Sequence, residues 1–191
     1  MKELADFLFE VGMLQKTPRS GFQFLGSGRE SVAEHVLRTI FIGYVLGTQD
    51  PGVDQLKLLT MCLFHDLSEA RTGDMNYVNK KYVTVDEEKA VRELAETLPF
   101  GDDITSLIGE FNEKKTAEAQ LAHDADQLAL ILQLKECGDL GNKYSREWIA
   151  FAVQRLFTDR GRKLADAIME TDSSHWWFKD KSDWWINANN T

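Results

Sequence analysis

Three prolines in 191 residues, two cysteines, a deficit of positive charge and no long apolar run are the scarcities that first constrain this chain. With so few prolines, few breaks are forced on the backbone, and the apolar residues recur mostly at spacings of three or four, so helices are favoured over a sheet. Cys62 and Cys137 are too few and too far apart for a disulfide framework or a zinc knuckle, and both sit in apolar helical patterns. They read as buried free thiols of a reducing compartment. The 22 basic residues against 31 acidic ones give a formal net charge of -9, which repels phosphate backbones and anionic lipid. Nucleic-acid polymer is thereby excluded as the expected ligand. No stretch reaches the roughly 20 apolar residues of a membrane span. Met1-Lys2-Glu3 opens without a basic segment followed by an apolar one, so the expected location is cytoplasmic.

What is present is ordinary for a folded protein: 43% hydrophobic and 28% charged residues. The length accommodates one substantial core, and a single domain over 1–191 is expected, with its motif-bearing part at about 19–136. Leu4, Phe7, Leu8, Val11 and Leu14 form one side of a first helix that stops at Lys16-Thr17-Pro18. Arg19 to Glu30, with three glycines and the aromatics Phe22 and Phe24, reads as an ordered loop. Ser31-Val32-Ala33-Glu34 has capping-box spacing, so a helix begins there with His35 in its first turns. A third helix is expected over about Asp54 to Ala70, nearly apolar from Leu56 to Phe64 and therefore central and buried. Further helices are expected at about Asp86–Leu98, Ile104–Glu113 and Ala117–Asp139, and one long helix at Arg146–Thr171 ahead of a tryptophan-rich end.

The chemistry gathers at three helix ends. His65 and Asp66 directly follow an apolar run, His35 opens an apolar helix beside Glu34, and Asp124-Ala125-Asp126 leads into the run Leu128 to Leu134. Imidazoles bind borderline divalent cations, and carboxylates compensate their charge in a low-dielectric pocket, so this set points to a mixed His/Asp metal site. Glu69, three residues from Asp66 and four from His65, belongs to the same side of a helix. Asp124 and Asp126 both open one helix, and spacing leaves either as the fourth ligand.

The order His35, His65-Asp66, Asp126 resembles the H…HD…D signature of the HD-domain metal-dependent phosphohydrolases. Ser31-Val32-Ala33-Glu34-His35, His65-Asp66-Leu67-Ser68-Glu69-Ala70, Thr72-Gly73-Asp74 and Asp124-Ala125-Asp126-Gln127-Leu128 look like the 5′-deoxynucleotidase branch, a resemblance extending from about Arg19 to Glu136. It implies an all-α HD-domain helical bundle, one divalent metal, and hydrolysis of (deoxy)nucleoside 5′-monophosphates by a homodimer. It also implies roles: His35, His65, Asp66 and Asp126 as ligands, with the A-D-x-L pattern favouring Asp126 over Asp124. Glu69 handles a proton or the attacking water, Asp74 contacts substrate or assists catalysis, and Arg19 binds the phosphate. Phe22 stands close behind that arginine, where the family commonly has a tryptophan bounding the nucleotide. Mn, Co, Mg, Zn, Ni and Fe are not distinguished by such a ligand set. The rival expectations are hydrolysis of another phosphorylated metabolite or a phosphodiester, and a bundle that binds metal or nucleotide without turnover. His123 is expected at the surface and His175 to be structural. Trp176, Trp177, Trp184 and Trp185 are expected to clasp the bundle or meet a second subunit.

Overall fold

A computed structural model describes residues 1–178, which form helices and, among the described residues, no strand beyond one isolated antiparallel bridge between Pro18 and Ser31. The helices are α1 (Lys2–Val11), α2 (Phe22–Leu25), α3 (Val32–Gly47), α4 (Gln55–Phe64), α5 (Glu69–Thr72), α6 (Glu87–Ala95), α7 (Gly101–Glu113), α8 (Ala117–Asp139), α9 (Ser145–Val153), α10 (Asp159–Glu170) and α11 (His175–Phe178). Short 3-10 segments lie at Gly12–Gln15 and Asn79–Lys81.

The expected capping box is formed: the Ser31 hydroxyl accepts from the Glu34 N–H at 3.2 Å, and the Glu34 carboxylate accepts from the Ser31 N–H at 2.6 Å. Capping starts α8 as well, where the Thr116 hydroxyl accepts from the Ala119 N–H. The central element is α8, not the helix that follows Asp54. Leu121, Ala125, Leu128, Ile131 and Leu134 on it are buried in a cluster shared with Ile42, Leu46, Leu58, Met61 and Ile149. In α4 only Leu58, Met61 and Cys62 are buried, while Leu56 is 77% exposed. A run of apolar residues had no phase from which to read which side faces out. A second cluster, including Val32, Val36, Leu67, Val91, Leu94 and Ile108, closes the other side of α3.

Two expected helices are broken. The one from Asp54 leaves α-geometry after Phe64, because Leu67, Glu69, Ala70 and Arg71 donate to carbonyls three residues back rather than four. The one from Arg146 divides into α9 and α10. Between them the Phe157 and Thr158 N–H groups donate to the Asp124 carboxylate, which supplies partners that helical continuation would have supplied. Gly161 permits this approach, since a Cβ there would lie against the Asp124 carboxylate. Trp176 is 87% exposed, Trp177 meets Phe178 at a tilt with ring centroids 5.2 Å apart, and Trp184 and Trp185 lie outside the described residues. His175 stands exposed at the start of α11.

Candidate metal centre and active site

Three parts of the chain converge on one point. His35 is presented by the second turn of α3, His65 and Asp66 by the turns after α4, and Asp126 by the third turn of α8. Ligand atoms of His35, His65 and Asp126 lie within 4.8 Å of one another. His35 Nε2 is 3.0 Å from Asp126 Oδ1 and 3.6 Å from Asp66 Oδ2, and His65 Nε2 is 3.3 Å from the same Asp66 oxygen. The His65 Nδ1–H donates to the Cys62 carbonyl at 2.8 Å, which fixes the ring and aims Nε2 into the cluster. That Nε2 is buried without a hydrogen-bond partner among the described residues. A buried, oriented imidazole nitrogen with no partner beside two carboxylates suits a divalent cation, so the residues fit a metal ligated by His35, His65, Asp66 and Asp126.

The electrostatics show how tightly charge is balanced here. Burial opposes charge on every member. At His65 the Asp66 carboxylate overcomes burial and lifts the imidazole to about 9, so that a cation at Nε2 would replace a proton. At His35 burial wins, helped by the positive charge of Arg19, and the ring is held below its ordinary value. Asp66 is pulled well below the carboxylate range, against burial, by His65 and Arg19. Asp126 is lowered to about 2, against burial, by its bond to His35.

Asp124 is settled otherwise. Fully buried, it accepts from the Phe157 N–H at 2.6 Å, the Thr158 N–H at 2.9 Å and the Thr158 hydroxyl at 2.5 Å. Its oxygens are committed to the α9–α10 connection, which leaves Asp126 as the aspartate of α8 that faces the histidines.

Around the cluster stand the other expected residues. Arg19 Nη1 donates to Asp66 at 3.2 Å and lies 3.9 Å from Asp74. Asp74 follows Gly73, whose φ of 71° favours glycine, and accepts from the Ser20 N–H at 2.6 Å. Asn76 donates to the Ser20 hydroxyl at 3.1 Å. The turn after α5 and the loop after Pro18 are thus sewn together at Ser20, which is what places Arg19 beside Asp66. Glu69 lies one 3-10 turn beyond Asp66. Burial, reinforced by Asp66 and Asp74, raises its carboxyl to about 9, and its Oε2 is buried without a partner among the described residues.

Phe22 is placed elsewhere. It packs on the core beneath Gly28 and Cys137, and Cys137 is 11 residues, or about 16 Å along α8, from Asp126. The surface position expected for His123 is corrected: it is half-buried, stacked on Phe111 at 3.8 Å, with Nε2 2.8 Å from the Phe111 carbonyl, and Phe111 in turn faces the His65 ring at 5.3 Å. An aromatic wall therefore backs the histidine. Ser20 and Asn76, which position Asp74 and Arg19, were not picked out from the sequence. Their signal was only their adjacency to Arg19 and Asp74, since serine and asparagine are common in any turn.

The HD domain family matches residues 11–170. Two relatives bear the name 5′-deoxynucleotidase HDDC2. The one from Dictyostelium discoideum is 31% identical over 148 residues, 71% of this chain and 78% of that protein. The one from Danio rerio is 28% identical over 152 residues, 76% of this chain and 75% of that protein. A conserved hypothetical protein of Pyrococcus furiosus superposes with a TM-score of 0.76 at 29% identity, over 87% of this chain and 99% of that one.

Proposed function

The chain belongs to the HD-domain family, and from that premise we propose that it is a metal-dependent phosphohydrolase that releases phosphate from deoxynucleoside 5′-monophosphates. The observation that carries this reading is the juxtaposition of a buried His35, His65, Asp126 cluster with an arginine, Arg19, reaching Asp66 at its edge. A structural metal site needs ligands but no adjoining guanidinium and no protonated carboxyl; both are here. The names of the two relatives, given above, support the substrate class.

When bound, a divalent cation would supply Lewis acidity and a more acidic water at this cluster. The remaining roles fall to the chain itself. His35, His65, Asp66 and Asp126 would hold the cation. Arg19, tethered between Asp66 and Asp74, offers parallel N–H donors to phosphate oxygens, which a planar guanidinium matches. Glu69 keeps its proton at neutral pH in this environment and delivers it to the departing 5′ oxygen, so that an alcohol rather than an alkoxide leaves. Asp74 fixes the Arg19-Ser20 backbone and presents a carboxylate to the 3′ hydroxyl of the deoxyribose. The acidic surface, at -9 overall, suits a small monoester better than a polymer.

The test is phosphate release from a panel of deoxyribonucleoside and ribonucleoside 5′-monophosphates with added Mn²⁺, Co²⁺ or Mg²⁺. Turnover of the deoxy compounds is the expected result. Inactivity on every monophosphate with every metal would refute the proposal.

A further inference from the structure

Gln127 follows Asp126 on α8, and neighbouring residues on a helix point about 100° apart and do not face each other. Its side chain nevertheless folds back, and Nε2 donates to Asp126 Oδ2 at 2.8 Å. The other oxygen of that carboxylate, Oδ1, is the one that lies 3.0 Å from His35 Nε2 and faces the cluster. The two oxygens of Asp126 are thus divided between different partners. Gln127 has no part in the roles assigned to Arg19, Asp74 and Glu69.

The amide has a definite orientation. Its carbonyl oxygen, Oε1, is enclosed and has no hydrogen-bond partner among the described residues. Turned about, the amide would set Oε1 against Asp126 Oδ2, an oxygen acceptor against an anionic one. A bond to a charged acceptor is the stronger kind, so it holds the amide as it is even though an enclosed carbonyl is left without a donor. The fold tolerates that orphaned acceptor and keeps an N–H on Asp126 Oδ2.

We propose that Gln127 determines which cation the centre takes: it confines Asp126 to one oxygen toward the metal and thereby favours first-row cations such as Co²⁺ over Ca²⁺. This rests on the metal centre of the reading above and not on its substrate. Ca²⁺ takes about six to eight oxygen ligands and accepts a carboxylate through one oxygen or both, whereas first-row divalent cations gain from nitrogen ligands. Two of the residues whose ligand atoms cluster here are the imidazoles of His35 and His65. The N–H of Gln127 occupies the second oxygen of Asp126, which makes a centre already part nitrogen poorer still in oxygen.

The test measures Co²⁺ and Ca²⁺ binding by calorimetry to metal-free wild type, Gln127→Met and Gln127→Glu. Methionine keeps the length of the side chain without the N–H donor, and glutamate keeps its shape but sets a carboxylate oxygen in the donor's place. Wild type is expected to bind Co²⁺ more tightly than Ca²⁺. The ratio of the two affinities is expected to fall roughly tenfold in each variant, the size found when the hydrogen-bond partner of a metal ligand is removed. The visible absorption of bound Co²⁺ should weaken in Gln127→Met, as the second oxygen of Asp126 joins its coordination. Urea unfolding of the metal-free proteins separates this from a purely structural role: the orphaned carbonyl leaves together with the donor, so Gln127→Met is expected to match wild type there. An affinity ratio unchanged in both variants would overturn the proposal, as would a wild type that binds neither ion or prefers Ca²⁺. A wild type that binds Co²⁺ tightly but hydrolyses no monophosphate would refute the proposed activity alone, and the ratio in the variants would still decide the role of Gln127.

Discussion

Replacing Asp124 and Asp126 separately by alanine should produce opposite phenotypes, although the two residues are neighbours on one helix turn. Asp124 receives three hydrogen bonds at 2.5–2.9 Å from Phe157 and Thr158 and is wholly buried. Its removal leaves two backbone N–H groups and a hydroxyl without acceptors at the connection that joins α9 to α10. A bond to a charged group contributes about 1.5–3 kcal/mol, and each orphaned donor costs about 1–3 kcal/mol. Allowing for relaxation of an exposed Phe157, Asp124→Ala should destabilise by about 4 kcal/mol. For a chain of this size that is a fall in Tm of about 8–16 °C. Asp126 accepts from Gln127 Nε2 at 2.8 Å and lies 3.0 Å from His35 Nε2, and because its removal orphans no backbone N–H it loses less: about 2 kcal/mol in the metal-free protein. Metal binding should respond the other way, with Asp126→Ala losing the cation and Asp124→Ala, once folded at low temperature, retaining it. Urea unfolding of the metal-free proteins and metal content after dialysis are the two measurements. A stable Asp124→Ala that has lost its metal would refute the assignment and return Asp124 to the ligand set.

Three other outcomes are expected. Glu69→Gln should lower kcat by about 10²–10⁴-fold while metal content stays at the wild-type level, and equal turnover would remove Glu69 from the proton-transfer role. In EDTA-treated protein, stability should depend on pH through His65: its pKa stands above 6.5, at about 9, so its contribution is full below pH 6.5 and is lost as pH rises through 9. The lowered Asp66 and Asp126 contribute above about pH 3.8 and lose their contribution on acidification, and saturating metal should abolish the alkaline decline because it displaces the His65 proton. A urea midpoint that is flat from pH 6.5 to 9 would contradict this. Finally, Leu37, Phe41, Tyr44 and Val45 form an exposed apolar face of α3, and light scattering should give twice the 21.8 kDa chain mass, falling to one chain in Phe41→Glu.

Much of the site could be read in advance because its residues are fixed by local rules. The capping box at Ser31 and Glu34 places His35 in the second turn of α3 by short-range hydrogen bonding alone. The boundaries of α8 came out at Ala117 and Asp139, since Thr116 caps the start and helical spacing persists throughout. The breaks at His65 and at Gln154 were not readable, because nothing in their own sequence forbids a helix. The first reflects a tightening to i,i+3 bonds that brings Glu69 in line with Asp66. The second depends on a carboxylate supplied from 33 residues earlier.

Composition, periodicity and motif order were enough to show that this chain makes amphipathic helices, that its surface repels polyanions, and which side chains have the types for a metal centre, with Asp124 and Asp126 both open as the fourth. Those are matters of composition, periodicity and motif, which any short window carries. Tertiary packing alone separated the role of Asp124 from that of Asp126, set Ser20 and Asn76 under Arg19 and Asp74, turned His123 inward against Phe111, and brought Arg155 over Tyr77. Each of these depends on which groups from distant parts of the chain share one buried space. In low dielectric that sharing decides which carboxylate is spent on structure and which remains free for chemistry.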